Sequence, residues 1–131
     1  MIDAKDFRIG NCFFYLKEQC IVTGIKYEPV IKKYRVYLKS LETGLEIGKM
    51  QQWIEPIPLT PDVLKKCGFK VDLFSANLYH APDDYWQVYI DDTGGVFRMP
   101  GTSLAKIKYL HQLQNLYFFI SGGTEINYKP N

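Results

Sequence analysis

Lys108–Phe118 reads KYLHQLQNLYF and runs into Ser121-Gly122-Gly123. From Leu110 to Ser121 the apolar residues recur at helical spacing. At about 100° per residue, Tyr109, Leu110, Leu113, Leu116, Tyr117 and Ile120 fall within one arc of roughly 120°. His111, Gln112, Gln114 and Asn115 lie around the other side, and Phe118 and Phe119 interrupt it. The end of the helix is therefore apolar nearly all round, which predicts burial on more than one face. Gly122-Gly123 ends the helix, and Thr124–Tyr128 reads as an added edge strand. Gln114 adjoins the apolar arc and is expected to be buried and hydrogen-bonded. His111, Gln112, Asn115, Phe118 and Phe119 form a candidate partner-binding strip, and the two phenylalanines allow a homodimer. The competing reading makes the amides a buried network that fixes the fold.

Upstream, Leu104–Tyr109 reads equally as a strand or as the first turns of that helix. Phe69–His80, Tyr85–Asp91 and Val96–Met99 predict a three-stranded meander around the turns Ala81–Asp84 and Asp92–Gly95. Before it, Thr60-Pro61-Asp62 opens a short helix: Thr60 can cap, Pro61 suits the first helical position, and Asp62 favours the positive end. Gly68 is placed to end it in a left-handed conformation.

The first 57 residues predict short strands. Phe7–Tyr15 places Phe7, Ile9, Phe13 and Tyr15 on one face and pairs with Cys20–Ile25 through a turn at Leu16–Gln19. Gly24 marks a bulge. Tyr34–Lys39, Leu45–Gly48 and Trp53–Ile57 follow. Strand number and spacing point to a small, strongly bent barrel of the SH3-like type. The expected class is α+β: an N-terminal small SH3-like β barrel over 1–57, then helix, β-meander and C-terminal helix over 58–131, packed as one unit.

A chain of 131 residues with 47% apolar content can bury its own core. Sixteen basic and 14 acidic side chains give a formal charge of +2, which argues against a dedicated duplex-DNA binder. No stretch approaches about 18 apolar residues, so no membrane span is expected. MIDAKDFRIG lacks an apolar core, so no signal peptide is expected, and Cys12, Cys20 and Cys67 read as reduced cytoplasmic thiols. The hairpin pairing puts Cys12 and Cys20 on opposite sheet faces. No CxxC pair or His/Cys cluster predicts a metal site, and no cofactor is expected.

Three segments occur in an order that resembles a group of small proteins encoded by phages and prophages of gut Bacteroidetes. They are Phe7–Asn11 with Val22–Ile25 following, Ile54–Thr60 leading into Leu64–Phe69, and Lys108–Phe118. After Phe118 this chain has Phe119-Ile120-Ser121-Gly122-Gly123 in place of a small residue and a TGEEL-like ending. The resemblance implies phage or prophage origin and a bacterial cytoplasm. It carries no activity or site residue.

Enzymatic readings find little support. His80 and His111 are the only histidines, and neither neighbours a nucleophile in sequence. Asp83-Asp84 and Asp91-Asp92 are paired carboxylates, but both pairs fall in expected turns, where Asp bonds its own backbone. Neither Gly94-Gly95 nor Gly122-Gly123 has the strand and capped helix of a phosphate loop. Ten tyrosines and eight phenylalanines remain to be explained. The reading favoured is a non-enzymatic binding module engaging a host protein, with a defence component as the leading class. The alternative is a nucleotide or single-stranded nucleic-acid binder using Lys32, Lys33, Arg35 and Tyr37, where cations and rings interleave. Alternation sets Arg35, Tyr37 and Lys39 on one face against Tyr34, Val36 and Leu38. An ordinary half-buried strand with a solvated basic face has the same pattern.

Overall fold

A computed structural model describes residues 6–50, 53–99 and 101–130. Its first half is an antiparallel sheet of β1 (Cys12–Tyr15), β2 (Glu18–Glu28), β3 (Lys33–Ser40), β4 (Glu46–Met50) and β5 (Ile54–Pro56), in the order β4-β3-β2-β1-β5. Helix α1 (Pro61–Lys66) leads to a second antiparallel sheet. It holds β6 (Lys70–Val71), β7 (Leu78–His80), β8 (Gln87–Asp91), β9 (Gly94–Met99) and β10 (Thr102–Ile107), in the order β10-β9-β8-β7-β6. Helix α2 (Leu110–Ile120) follows. The class is α+β, as expected. The closed barrel is not found: β4 and β5 are the two edges of the first sheet and do not pair among the described residues. β5 is three residues long and ends on Pro56, which has no N–H to extend a ladder.

The β1–β2 turn is tighter than expected. Leu16 and Lys17 both have positive φ, 49° and 67°, and form a two-residue connection whose twist matches the strands. The register is Phe13 opposite Cys20 and Cys12 opposite Ile21, two residues from the expected pairing. A shift of two preserves the faces. Cys20 therefore joins Phe7, Phe13, Val22, Val36, Leu38 and Ile54 in one core, while Cys12 enters another. All three cysteines are free and buried, and burial pushes the Cys12 and Cys20 thiols up to about 11 and Cys67 up to about 12. The bulge falls between Val22 and Gly24. It lets Val22 and Ile25 face the same core and turns Gly24 outward.

The second core is built across the chain. Cys12, Ile57, Leu59, Leu64, Phe69, Val88, Phe97, Leu110 and Leu113 share it, with Phe14, Ile21 and Leu41 packed against it. The first sheet is thus apolar on both faces along part of its width. Ile57 and Leu59 tie the segment after β5 to the start of α2: Leu110 N donates to Ile57 O at 2.9 Å, and Leu59 N to Lys108 O at 2.8 Å.

Local signals read correctly where they were self-contained. Thr60 Oγ1 accepts from Val63 N at 3.2 Å, Pro61 opens α1, and Gly68 has φ of 86°. Three local expectations fail. Residues 8–11 form a turn instead of strand, because Asn11 Oδ1 takes the Arg8 N–H at 2.8 Å and Gly10 has φ of 99°; Ile9 is exposed as a result. Phe69–His80 breaks into the β6–β7 hairpin, because Asp72 Oδ2 accepts from Phe74 N at 2.9 Å and starts a loop. Thr124–Tyr128 is no strand, yet Ile126 and Tyr128 are buried. Leu104–Tyr109 resolves as β10 plus a two-residue link to α2.

Leu113 is fully buried in the cross-chain core. Leu113→Ala is expected to cost about 2–5 kcal/mol in a urea titration. A change under about 0.5 kcal/mol, the range of surface substitutions, would show that the helix does not pack as described.

Candidate functional site

Two of the expected groups of residues can be placed. The basic and aromatic one lies on the β2–β3 hairpin. Among the described residues, β1 pairs with β2 over residues 18–21 and β4 pairs with β3 over Arg35–Lys39. The distal hairpin from Tyr27 to Tyr34 extends past the described residues of both neighbours. Lys32 is in its turn with φ of 52°, donating its N–H to Pro29 O at 3.3 Å, and it belongs to neither sheet face.

Past the bulge, one face carries Gly24, Lys26 and Glu28 on β2, Lys33, Arg35, Tyr37 and Lys39 on β3, and Glu46 and Gly48 on β4. Three of the four expected ligand residues, Lys33, Arg35 and Tyr37, thus share a face. Arg35 Nε lies 3.4 Å from Glu28 Oε1, an ion-pair distance, and this enclosed atom makes no hydrogen bond among the described residues. Tyr37 stands opposite Gly24 on one side and Gly48 on the other. A Cβ built on Gly24 would meet one edge of the ring, Cδ2, at 3.5 Å, and one on Gly48 would meet the other edge, Cε1, at 3.2 Å. The ring spreads across both glycines. The opposite face of the overhang carries Tyr27 and Tyr34, edge to face at 5.1 Å, and the tip exposes Val30 and Ile31. Gly24 and Gly48 were not singled out from sequence as binding residues, and Lys26, which belongs to the same basic and aromatic stretch, was not among the four expected ligands. The available signal was a strand glycine on each side of a tyrosine, which becomes meaningful only once the register is known.

The strip on α2 divides. His111 is buried, its ring 4.9 Å from Phe13 and 5.9 Å from Tyr109, with Nδ1 unpartnered. Burial holds its pKa below the usual 6.5. Gln112 Oε1 accepts from Lys108 N at 2.8 Å and Tyr109 N at 3.1 Å, satisfying donors ahead of the helix. Asn115 Oδ1 accepts from Arg8 Nε at 2.9 Å and Asn11 Nδ2 at 2.7 Å. Gln114 Oε1 accepts from Cys12 N at 2.8 Å, and its amide nitrogen donates to Gly10 O at 3.3 Å. The Arg8 guanidinium lies 4.2 Å over the Phe118 ring and pairs with Glu125. Of the five, Gln112 and Phe119 are exposed, Phe119 at 84%. Gln114 and Asn115 join α2 to residues 8–12.

The carboxylate pairs bond their own turns. Asp83 Oδ1 accepts from Tyr85 N at 3.0 Å, and its Oδ2 accepts from Tyr117 OH at 2.9 Å. Burial, then Asp83, pushes Tyr117 up to about 12. Asp91 Oδ1 accepts from Thr93 N and Oγ1 at 2.8 and 2.6 Å, which lowers its pKa. His80 Nε2 contacts Asp72 Oδ1 at 2.7 Å, and this bond lowers the Asp72 pKa. Among the described residues no three His, Cys, Asp or Glu gather as a metal set. A cleft of about 420 Å³ runs along Asp91, Thr93, Lys106, Lys108 and Gln112, and another of about 550 Å³ along Lys65, Lys66, Gly68, Pro82 and Lys129. Neither takes in a hairpin residue.

Two outcomes follow from the α2 contacts. Asn115→Ala strands the buried Asn11 amide and is expected to cost about 1–3 kcal/mol by urea unfolding. His111 resists a proton when folded, so above pH 6.5 it is neutral in both states and contributes no slope. As the pH falls below 6.5, the unfolded chain takes the proton first and stability drops. His111→Phe should flatten the loss of stability between pH 7.5 and 5.5, and an unchanged slope would contradict a buried neutral ring. No family model matches this chain, and neither a curated protein nor a solved structure matches it.

Proposed function

We propose that this chain is a non-enzymatic binding module of phage or prophage origin, acting in the bacterial cytoplasm. Its partner is a host protein, with a defence component as the favoured class. The observation that carries this reading is the β2–β3 hairpin. It extends past the described residues of its neighbouring strands and holds apolar side chains out at its end: Val30 is 95% exposed, with Ile31, Tyr27 and Tyr34 also open. Apolar groups held away from a core in water are a common device of protein contact, and aromatics dominate such contacts energetically. The platform beneath fits a small binding domain. The strand order β5-β1-β2-β3-β4, with β5 returning antiparallel onto β1, is the connectivity of SH3-like barrels and supports that kinship even though the sheet is open. The phage origin rests on the three segments of the resemblance. Residues 8–11, 57–59 and 108–115 meet through direct hydrogen bonds, which supports reading them as one inherited unit.

The test is capture from host lysate with the tagged protein and with a Val30→Asp/Ile31→Asp variant, followed by mass spectrometry. A host protein retained by the parent and lost by the variant is the expected result. Equal recovery by both, or recovery of nucleic acid without protein, would overturn the reading.

A further inference from the structure

We infer that the face of the hairpin opposite Tyr27 and Tyr34 is a stacking platform for a base of single-stranded nucleic acid, with Tyr37 under the base and Arg35, Lys26 and Lys33 reaching its phosphates. This goes beyond the docking of a protein by the hairpin tip and rests on different residues.

The argument begins with Gly24 and Gly48. Neither has a left-handed φ, so the backbone at these positions admits any residue. Space favours glycine at 48, where a Cβ would come within 3.2 Å of the Tyr37 ring, whereas one at Gly24 would meet it at an ordinary contact distance of 3.5 Å. The two glycines let the ring settle across the strands, and they remove the two side chains that would flank it. Tyr37 as a residue keeps 37% of its surface open. An aromatic lying over strand glycines also repairs the sheet, but that role does not call for cations beside it. Here the next cross-strand pair toward the hairpin end is Lys26 opposite Arg35, followed by Lys33 on β3, while Lys39 lies on the other side.

Charge on this face is unbalanced. Lys26, Lys33, Arg35 and Lys39 stand against Glu28 and Glu46. Glu28 pairs with Arg35 at 3.4 Å through the enclosed Nε, while the Arg35 side chain as a whole keeps 41% of its surface open. A ring face beside several cations is the chemistry that holds single strands without sequence preference. A duplex keeps its bases stacked inside and offers the ring nothing. Lys32, in the hairpin turn, lies off this face and is not part of the site.

The experiment is fluorescence anisotropy of a labelled 12-mer of deoxythymidine with the purified protein, at 50 and 200 mM salt, with unlabelled duplex and mononucleotide as competitors. Saturable binding that weakens with salt is expected. Tyr37→Ala should lower affinity about 5- to 150-fold and Tyr37→Phe should retain it, as stacking on a ring predicts. Arg35→Gln should weaken binding and reduce the salt slope by about one. The Val30→Asp/Ile31→Asp variant should bind as the parent does, so loss of the protein partner and loss of the strand are read separately. Circular dichroism confirms that each variant is folded; if Tyr37→Ala is not, Arg35→Gln and Lys26→Gln carry the decision. No binding at 50 mM salt, equal competition by duplex, mononucleotide binding as tight as the 12-mer, or Tyr37→Ala equal to the parent would each overturn the platform.

Discussion

Cys12 is the first residue of β1, and its N–H points toward β5, whose ladder has already stopped at Pro56 opposite Phe13. That donor is fully enclosed and has no strand to pair with. Gln114 of α2 takes it, while the neighbouring Asn115 takes the side chain of Asn11 and the Nε of Arg8. A buried donor left unmade costs more than an ordinary hydrogen bond contributes. The position of α2 against the first sheet is therefore fixed by polar satisfaction as much as by apolar contact. The helix in turn carries Leu110, Leu113 and Tyr117 into the core made with the second sheet. One pair of amides thereby registers the N-terminal turn, the last helix and both sheets.

The same clamp explains which surfaces are left over. His111, Gln114 and Asn115 are spent on structure, and Phe118 lies under Arg8. The far end of the first sheet, past the pairing of β1 and β4, has no such cover among the described residues. There the hairpin presents apolar and aromatic groups at its tip and one side, and a tyrosine among cations on the other. A protein contact and a strand contact are proposed for separate parts of it, and they differ in salt dependence because only the second neutralises phosphates.

The α1 boundaries, the bulge near Gly24, the turn role of both Asp pairs and the apolar arc of α2 were legible because each depends on neighbours within a few residues. Thr60 caps Val63 three positions on, and Asp91 bonds Thr93 two positions on. Two of the errors share a form. Asn11 and Asp72 diverted backbone that alternation read as continuous strand, and side-chain competition of this kind is invisible to a hydrophobic period.

The sequence by itself determined the α+β class, the order of its main elements and the faces of the hairpin cysteines, since a register error of two leaves a period of two unchanged. It also named Lys33, Arg35 and Tyr37. Only the tertiary structure decided which groups Gln114 and Asn115 bond, because their partners at residues 8–12 are about a hundred positions away. Only the cross-strand register put Gly24 and Gly48 on either side of Tyr37, because those neighbours come from three strands whose alignment is set by turns and a bulge, and no local pattern encodes it.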